Sequence, residues 1–171
     1  MSKQIILITG GQRSGKSGYA QRLALSLTTQ PVYLATSRVW DDEYRLRIER
    51  HKRDRGPEWT NIEEEKLLSR HDLNGRVVVI DCVTLWGTNF FFDNNGDVAR
   101  SLSELKTEFE RLTAQDAYLI FVTNEIGQGG VSPDETQRKF TDLQGWLNQH
   151  IASRADQVIL MVSGIPLKIK E

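Results

Sequence analysis

The chain lacks the marks of several large protein classes. It has one cysteine, Cys82, which excludes an intramolecular disulfide and fits a reducing compartment. Neither charge sign dominates: 22 Lys and Arg stand against 23 Asp and Glu, a formal net charge of -1. Such a balance gives no global electrostatic footprint for nucleic acid or an anionic membrane. No apolar stretch approaches a membrane span, and Ile5-Ile6-Leu7-Ile8 after Met1-Ser2-Lys3-Gln4 is too short for a signal-peptide core. The expected location is therefore cytoplasmic. The histidines, His51, His71 and His150, show no metal-ligand spacing. Internal repeats, low-complexity segments and linkers are also lacking, so residues 1–171 are expected to form one domain.

What is present is an ordinary globular composition, 39% hydrophobic and 26% charged. Ile5-Ile6-Leu7-Ile8, Val32-Tyr33-Leu34-Ala35, Val77-Val78-Val79-Ile80, Tyr118-Leu119-Ile120-Phe121-Val122 and Gln157 to Val162 read as strands, mostly of the kind buried on both faces. Helical spacing is predicted from Ser17 to about Leu27, from Asp41 to about Arg53, from Ser101 to Thr113 and from Phe140 to Ser153. Asn89 to Asp97 reads as a turn-rich loop with an aromatic beginning, and Glu63-Glu64-Glu65 as a solvated helix start. Phe90-Phe91-Phe92 reads as a core plug or subunit contact, and Cys82 as packing. Apolar strands alternating with helices predict an α/β fold with a mostly parallel central sheet flanked by helices.

The first strand runs directly into Gly10-Gly11-Gln12-Arg13-Ser14-Gly15-Lys16-Ser17, a full match to G-x-x-x-x-G-K-[ST]. Glycines let the backbone fold so that successive N–H groups face a phosphate, and the helix behind adds its positive N-terminal end. Lys16 is placed to reach the β- and γ-phosphates and the Ser17 hydroxyl to ligand Mg²⁺, which identifies a P-loop of the NTPase type. Asp81 ends a buried strand, as the Walker-B carboxylate that holds the Mg²⁺ shell does. Glu125 follows another strand and precedes Gly127, Gln128, Gly129 and Gly130. It reads equally as a base, a metal ligand or a loop glutamate.

His51 lies late in a charged helix, with Tyr44 and Ile48 on the same face and Lys52, Arg53 and Arg55 just beyond. Concentrated positive charge suits a group that meets triphosphate, and it disfavours imidazolium, keeping such a ring nucleophilic. The pattern alone fits a solvated surface histidine as well.

Stretches along the chain resemble the bifunctional adenosylcobinamide kinase / adenosylcobinamide-phosphate guanylyltransferases. They are Thr9 to Ser17; Leu34-Ala35-Thr36-Ser37 with Asp41-Asp42-Glu43; Arg47-Ile48-Glu49-Arg50-His51 running to Trp59; Thr123-Asn124-Glu125-Ile126-Gly127; Gly145-Trp146-Leu147-Asn148-Gln149 continuing to Ala155-Asp156; and Gly164-Ile165-Pro166-Leu167.

The resemblance implies two reactions: phosphorylation of adenosylcobinamide by ATP or GTP, then transfer of GMP from GTP to adenosylcobinamide phosphate through a GMP-histidine. It implies that His51 is the guanylylated residue. Implied nucleotide contacts are Gly10 to Ser17, Ala35, Thr36, Ser37, Lys52, Arg53, Asp54, Arg55, Glu63 and Asp81, with Ser17 and Asp81 at Mg²⁺. A homotrimer is also implied. Thr141 and Gln144 depart from the family's usual arginine and small residue, and Gly87 to Asp97 is more polar and aromatic than its leucine-rich stretch. The alternatives are a P-loop small-molecule kinase with no covalent step and a nucleotide-binding switch module. Against the switch, the Asn-Lys-x-Asp motif of regulatory GTPases does not occur.

Overall fold

The computed structural model describes residues 2–39 and 41–171, apart from the side chains of Tyr44, Arg47, His51 and Asp54. The chain order is β1 (Gln4–Gly10), α1 (Lys16–Leu27), β2 (Val32–Ala35), α2 (Asp42–Asp54), β3 (Thr60–Glu63), a 3-10 turn (Leu68–Arg70), β4 (Val77–Asp81), α3 (Val83–Asp93), α4 (Val98–Thr113), β5 (Tyr118–Val122), α5 (Glu135–Arg154), β6 (Gln157–Val162) and β7 (Ile165–Lys170). The strands form a seven-stranded sheet in the order β3-β2-β4-β5-β1-β6-β7. Every pairing is parallel except that of β6 with the edge strand β7. The expected mostly parallel α/β architecture is therefore present.

Strand side chains alternate between two layers, which explains the near-continuous apolar strands. On one face Ile5, Leu7, Leu34, Ile80 and Phe121 pack with Trp86, Phe90, Leu105, Phe109, Leu143 and Ile151 from α3, α4 and α5. On the other, Ile6, Ile8, Val79 and Ile120 pack with Ala20 and Ala24 of α1. Small alanines on α1 let that helix lie close to the sheet. Helix α2 differs: it is built largely of charged residues, and none of its described side chains is buried.

Three expectations are corrected. Asn89 to Asp93 is not loop but the end of α3: Trp86 and Phe90 stand four apart on a helix and pack edge-on, with centroids 6.1 Å apart. Phe90 and Phe91 are core residues, whereas Phe92 is 53% exposed. Glu63 closes a strand rather than opening a helix, because Ile62 pairs in register with Leu34 of β2. Glu64 then accepts the N–H groups of Lys66 and Leu67, both at 3.1 Å, and fixes a turn. Helices α4 and α5 start earlier than predicted, at Asp97 and Asp134, whose side chains cap them by accepting the N–H of Arg100 (2.9 Å) and Gln137 (2.7 Å).

Parallel pairing brings the functional ends together. Ala35 is in register with both Asp81 and Glu63, Asp81 with Val122, and Ile8 with Val122. The carboxyl ends of β1, β2, β3, β4 and β5 therefore meet at one edge, where open α/β sheets bind ligands.

Candidate phosphate-transfer site

The P-loop joins the carboxyl end of β1 to α1. Gly10 (φ 152°) and Gly15 (φ 93°) both lie in the region that favours glycine. A Cβ on Gly10 would stand 2.7 Å from the Met161 carbonyl oxygen, so no other residue fits there unshifted. Arg13 also takes a positive φ, 58°, at the loop's outer bend. The Lys16 side chain is buried and folds across the loop, donating to the Gly11 carbonyl at 2.5 Å. Burial pulls the Lys16 ammonium below its ordinary pKa, while the negative charge of Asp81 opposes that pull. A buried cation poised over Gly-rich backbone is a ready partner for phosphate oxygens.

Two adjoining cavities open here. One, about 410 Å³, is lined by Arg13 to Gly18, Asp81, Cys82, Val122 and Asn124. The other, about 710 Å³, shares Ser17, Asp81, Cys82 and Asn124 and extends past Tyr33, Ala35 and Ser37 to Ile48 and Arg55. Ser17 and Asp81 thus offer hydroxyl and carboxylate oxygens on the common wall, a donor set suited to a hard divalent cation.

That wall is held rigidly. Thr36, fully buried, accepts the Cys82 N–H at 2.9 Å and donates to the Cys82 carbonyl at 2.7 Å, latching β2 to the end of β4. Asn89 donates to the Thr36 carbonyl at 2.7 Å and the Glu65 carbonyl at 3.0 Å. Tyr33 donates its hydroxyl to Asp81 Oδ2 at 2.7 Å. Cys82 caps α3, its Sγ accepting the Leu85 N–H at 3.4 Å. Burial, then the charge of Asp81, pushes its thiol up to about 12. A thiol so poorly ionised packs and caps rather than acting as a nucleophile.

Residues 6–169 match the family of cobinamide kinase / cobinamide phosphate guanyltransferase. The chain belongs to that family. It is 38% identical over 181 residues to the bifunctional adenosylcobalamin biosynthesis protein CobU of Escherichia coli K12, covering 97% of this chain and 99% of that one. The same identity extends over 168 residues to the bifunctional adenosylcobalamin biosynthesis protein CobP of Pseudomonas aeruginosa PAO1, 96% of each chain. Among solved structures, the flagellar accessory protein FlaH of Methanocaldococcus jannaschii superposes with a TM-score of 0.50 at 15% identity, covering 99% of this chain and 79% of that one. That likeness concerns the fold alone.

For a cobinamide kinase / guanyltransferase, the predicted residues fall into four groups. Gln12 to Ser17, Ala35, Ser37, Arg55 and Asp81 line the two cavities, and Gly10 and Gly11 shape the loop beneath. Thr36 lies behind the wall with its hydroxyl engaged by Cys82. Lys52 forms an ion pair with Glu63, Arg53 is exposed, and neither Lys52 nor Glu63 is among the residues lining these two cavities. His51 and Asp54 lie on α2, and their side chains fall outside the described residues.

Glu125, whose role the sequence left open, lines the larger cavity, while its carboxylate accepts the N–H groups of Gly127 (2.8 Å) and Gln128 (3.1 Å). Its own N–H donates to the Gly10 carbonyl at 3.0 Å. Sequence reasoning missed Tyr33 and Asn124. A lone tyrosine in a buried strand carries no local signal, although its position opposite Val79, two before Asp81, follows once the register is known.

Proposed function

We propose that this family member carries out both reactions of its family's description at the P-loop cavities, and that His51 carries the GMP between them. The observation that carries this reading is the lining of the larger cavity: Ser17 of the P-loop on one side, and on the other Ile48 and Arg55, three residues before and four after His51. That both chain neighbours border the cavity that Ser17 lines supports this reading.

In the kinase step the side-chain hydroxyl oxygen of adenosylcobinamide attacks the γ-phosphorus of ATP or GTP. The bond to the β-phosphate oxygen breaks, the nucleoside diphosphate leaves and the hydroxyl proton is released. Lys16 and the loop N–H groups hold the phosphates in line. In the guanylyl step a nitrogen of neutral His51 attacks the α-phosphorus of GTP, and pyrophosphate leaves. A phosphate oxygen of adenosylcobinamide phosphate then attacks the same phosphorus, the N–P bond breaks and adenosylcobinamide-GDP is released. Splitting one nucleotidyl transfer into two displacements lowers each barrier. Ser17 and Asp81 would hold Mg²⁺, which when bound neutralises charge on the transferring phosphates.

The reading extends to residues 1–171 as a single nucleotide-binding domain, to a cytoplasmic location, in keeping with one buried cysteine, and to a homotrimer. Exposed Trp146, Ile165, Leu167 and Ile169 supply apolar surface for subunit contact.

The test is incubation with Mg²⁺ and GTP labelled at the α-phosphate. Wild type is expected to take up acid-labile, base-stable label, and His51→Ala none, with γ-phosphoryl transfer to adenosylcobinamide kept. Wild type that phosphorylates adenosylcobinamide but takes up no label would reduce the protein to a kinase. Equal labelling of both proteins would refute His51 as nucleophile.

A further inference from the structure

Tyr33 lies 8% exposed on β2 and engages two parts of the site at once. Its hydroxyl donates to Asp81 Oδ2 at 2.7 Å. Its ring lies beneath the Arg55 guanidinium, 3.7 Å from centroid to carbon, and meets Trp59 edge-on at 6.0 Å and 81°. Arg55 in turn donates through Nε to Asn61 Oδ1 at 2.9 Å, on the strand paired with Tyr33. Arg55 is the first residue after α2, a helix with no buried described side chain, whose Lys52 pairs with Glu63 at the end of β3.

We propose that Tyr33 is the positioning residue that fixes the Asp81 carboxylate with its hydroxyl and seats the root of the His51 helix with its ring. The proposal rests on the two-step reading above. By holding one carboxylate oxygen, Tyr33 sets the rotamer of Asp81 and would leave the other oxygen available to a divalent cation, the work of an outer-shell partner. The ring contact is independent of that hydrogen bond: a cation over an aromatic face needs only the π-system.

Two substitutions separate the roles. Tyr33→Phe keeps the ring and deletes the hydroxyl; Tyr33→Leu deletes both. Thermal melting of each first shows that it is folded. Calorimetry with α,β-methylene-GTP, which cannot transfer GMP, gives affinities with Mg²⁺ and with chelator. Tyr33→Phe is expected to lose about tenfold of the affinity gained from Mg²⁺ while binding in chelator is unchanged. An unchanged Mg²⁺ gain would overturn the hydroxyl's role.

For the ring, uptake of label from α-labelled GTP at saturating Mg²⁺ should be about tenfold or more slower in Tyr33→Leu than in Tyr33→Phe, as a misplaced nucleophile implies. Equal rates would overturn the link to α2. Absence of label from wild type itself would instead defeat the two-step reading and leave the calorimetric result standing.

Discussion

The backbone N–H of Gly164 donates to the carbonyl of Ser14 at 2.9 Å, tying the turn of the β6–β7 hairpin to the middle of the P-loop. The approach is close: a Cβ on Gly15 would stand 3.3 Å from the Gly164 Cα. Ser163 (φ 51°) and Gly164 (φ 83°) form a two-residue connection with both residues at positive φ, as a type I′ turn requires. The hairpin thus braces the phosphate loop from the side away from β5, whose neighbour across β1 is β6.

Gly164→Ala should therefore weaken both stability and nucleotide binding. The new Cβ meets nothing within 4 Å, so its cost is the left-handed backbone alone, about 1–2 kcal/mol. Urea titration should show that loss, and calorimetry should show GTP affinity falling a few-fold as the loop loosens. A stability loss with GTP affinity unchanged would mean that the brace does not order the loop.

The P-loop and Asp81 could be read in the sequence because their signals are local: glycine spacing, a lysine, an apolar run ending in a carboxylate. The sheet was legible for the same reason, since strands buried on both faces read as unbroken apolar runs. The edge strand β7 was not, because all six of its residues are exposed and its pairing with β6 is the only thing that makes it a strand. The Tyr33 hydroxyl, Thr36 and Gly164 were illegible as supports, since each hydrogen-bonds a partner far along the chain, as Thr36 with Cys82, Tyr33 with Asp81 and Gly164 with Ser14 illustrate. Conversely, the aromatic start of 89–97 was misread because turn-forming asparagines obscured Phe90 and Phe91, whose burial makes that segment helical.

Acid should act on the joint that precedes α2. Asp93, at the end of α3, receives Arg38 at 2.9 and 3.1 Å and Lys66 at 3.0 Å. Hydrogen bonds from Arg38, then Lys66, lower its pKa from 3.8 to about 2. The unfolded chain binds this proton first as pH falls, so the stabilisation is complete above about pH 4 and lost as pH drops through about 2. Asp93→Asn should flatten the acid limb of the stability curve in that window and leave its shape unchanged above it. High salt should narrow the difference, because the carboxylate is about a third exposed. Identical acid limbs for the two proteins would remove Asp93 from the account.

Glu125 offers a sharper choice between chemistry and architecture. It stands in the larger cavity, where a base for the acceptor hydroxyl would be useful, but its two carboxylate oxygens already accept the N–H groups of Gly127 and Gln128. With both oxygens engaged by backbone donors, the carboxylate serves as an anchor for the turn. Glu125→Gln keeps one carbonyl acceptor, so the loop should hold and the rate of phosphoryl transfer to adenosylcobinamide should fall less than about tenfold, whereas loss of a general base costs about 10²–10⁴-fold. Glu125→Ala, which removes both acceptors, should lower the rate further, with the added loss appearing in the KM for the acceptor as the 125–128 turn loosens. If Glu125→Gln instead lost a hundredfold or more in kcat while KM and melting temperature stayed put, the carboxylate would have to be placed among the reacting groups.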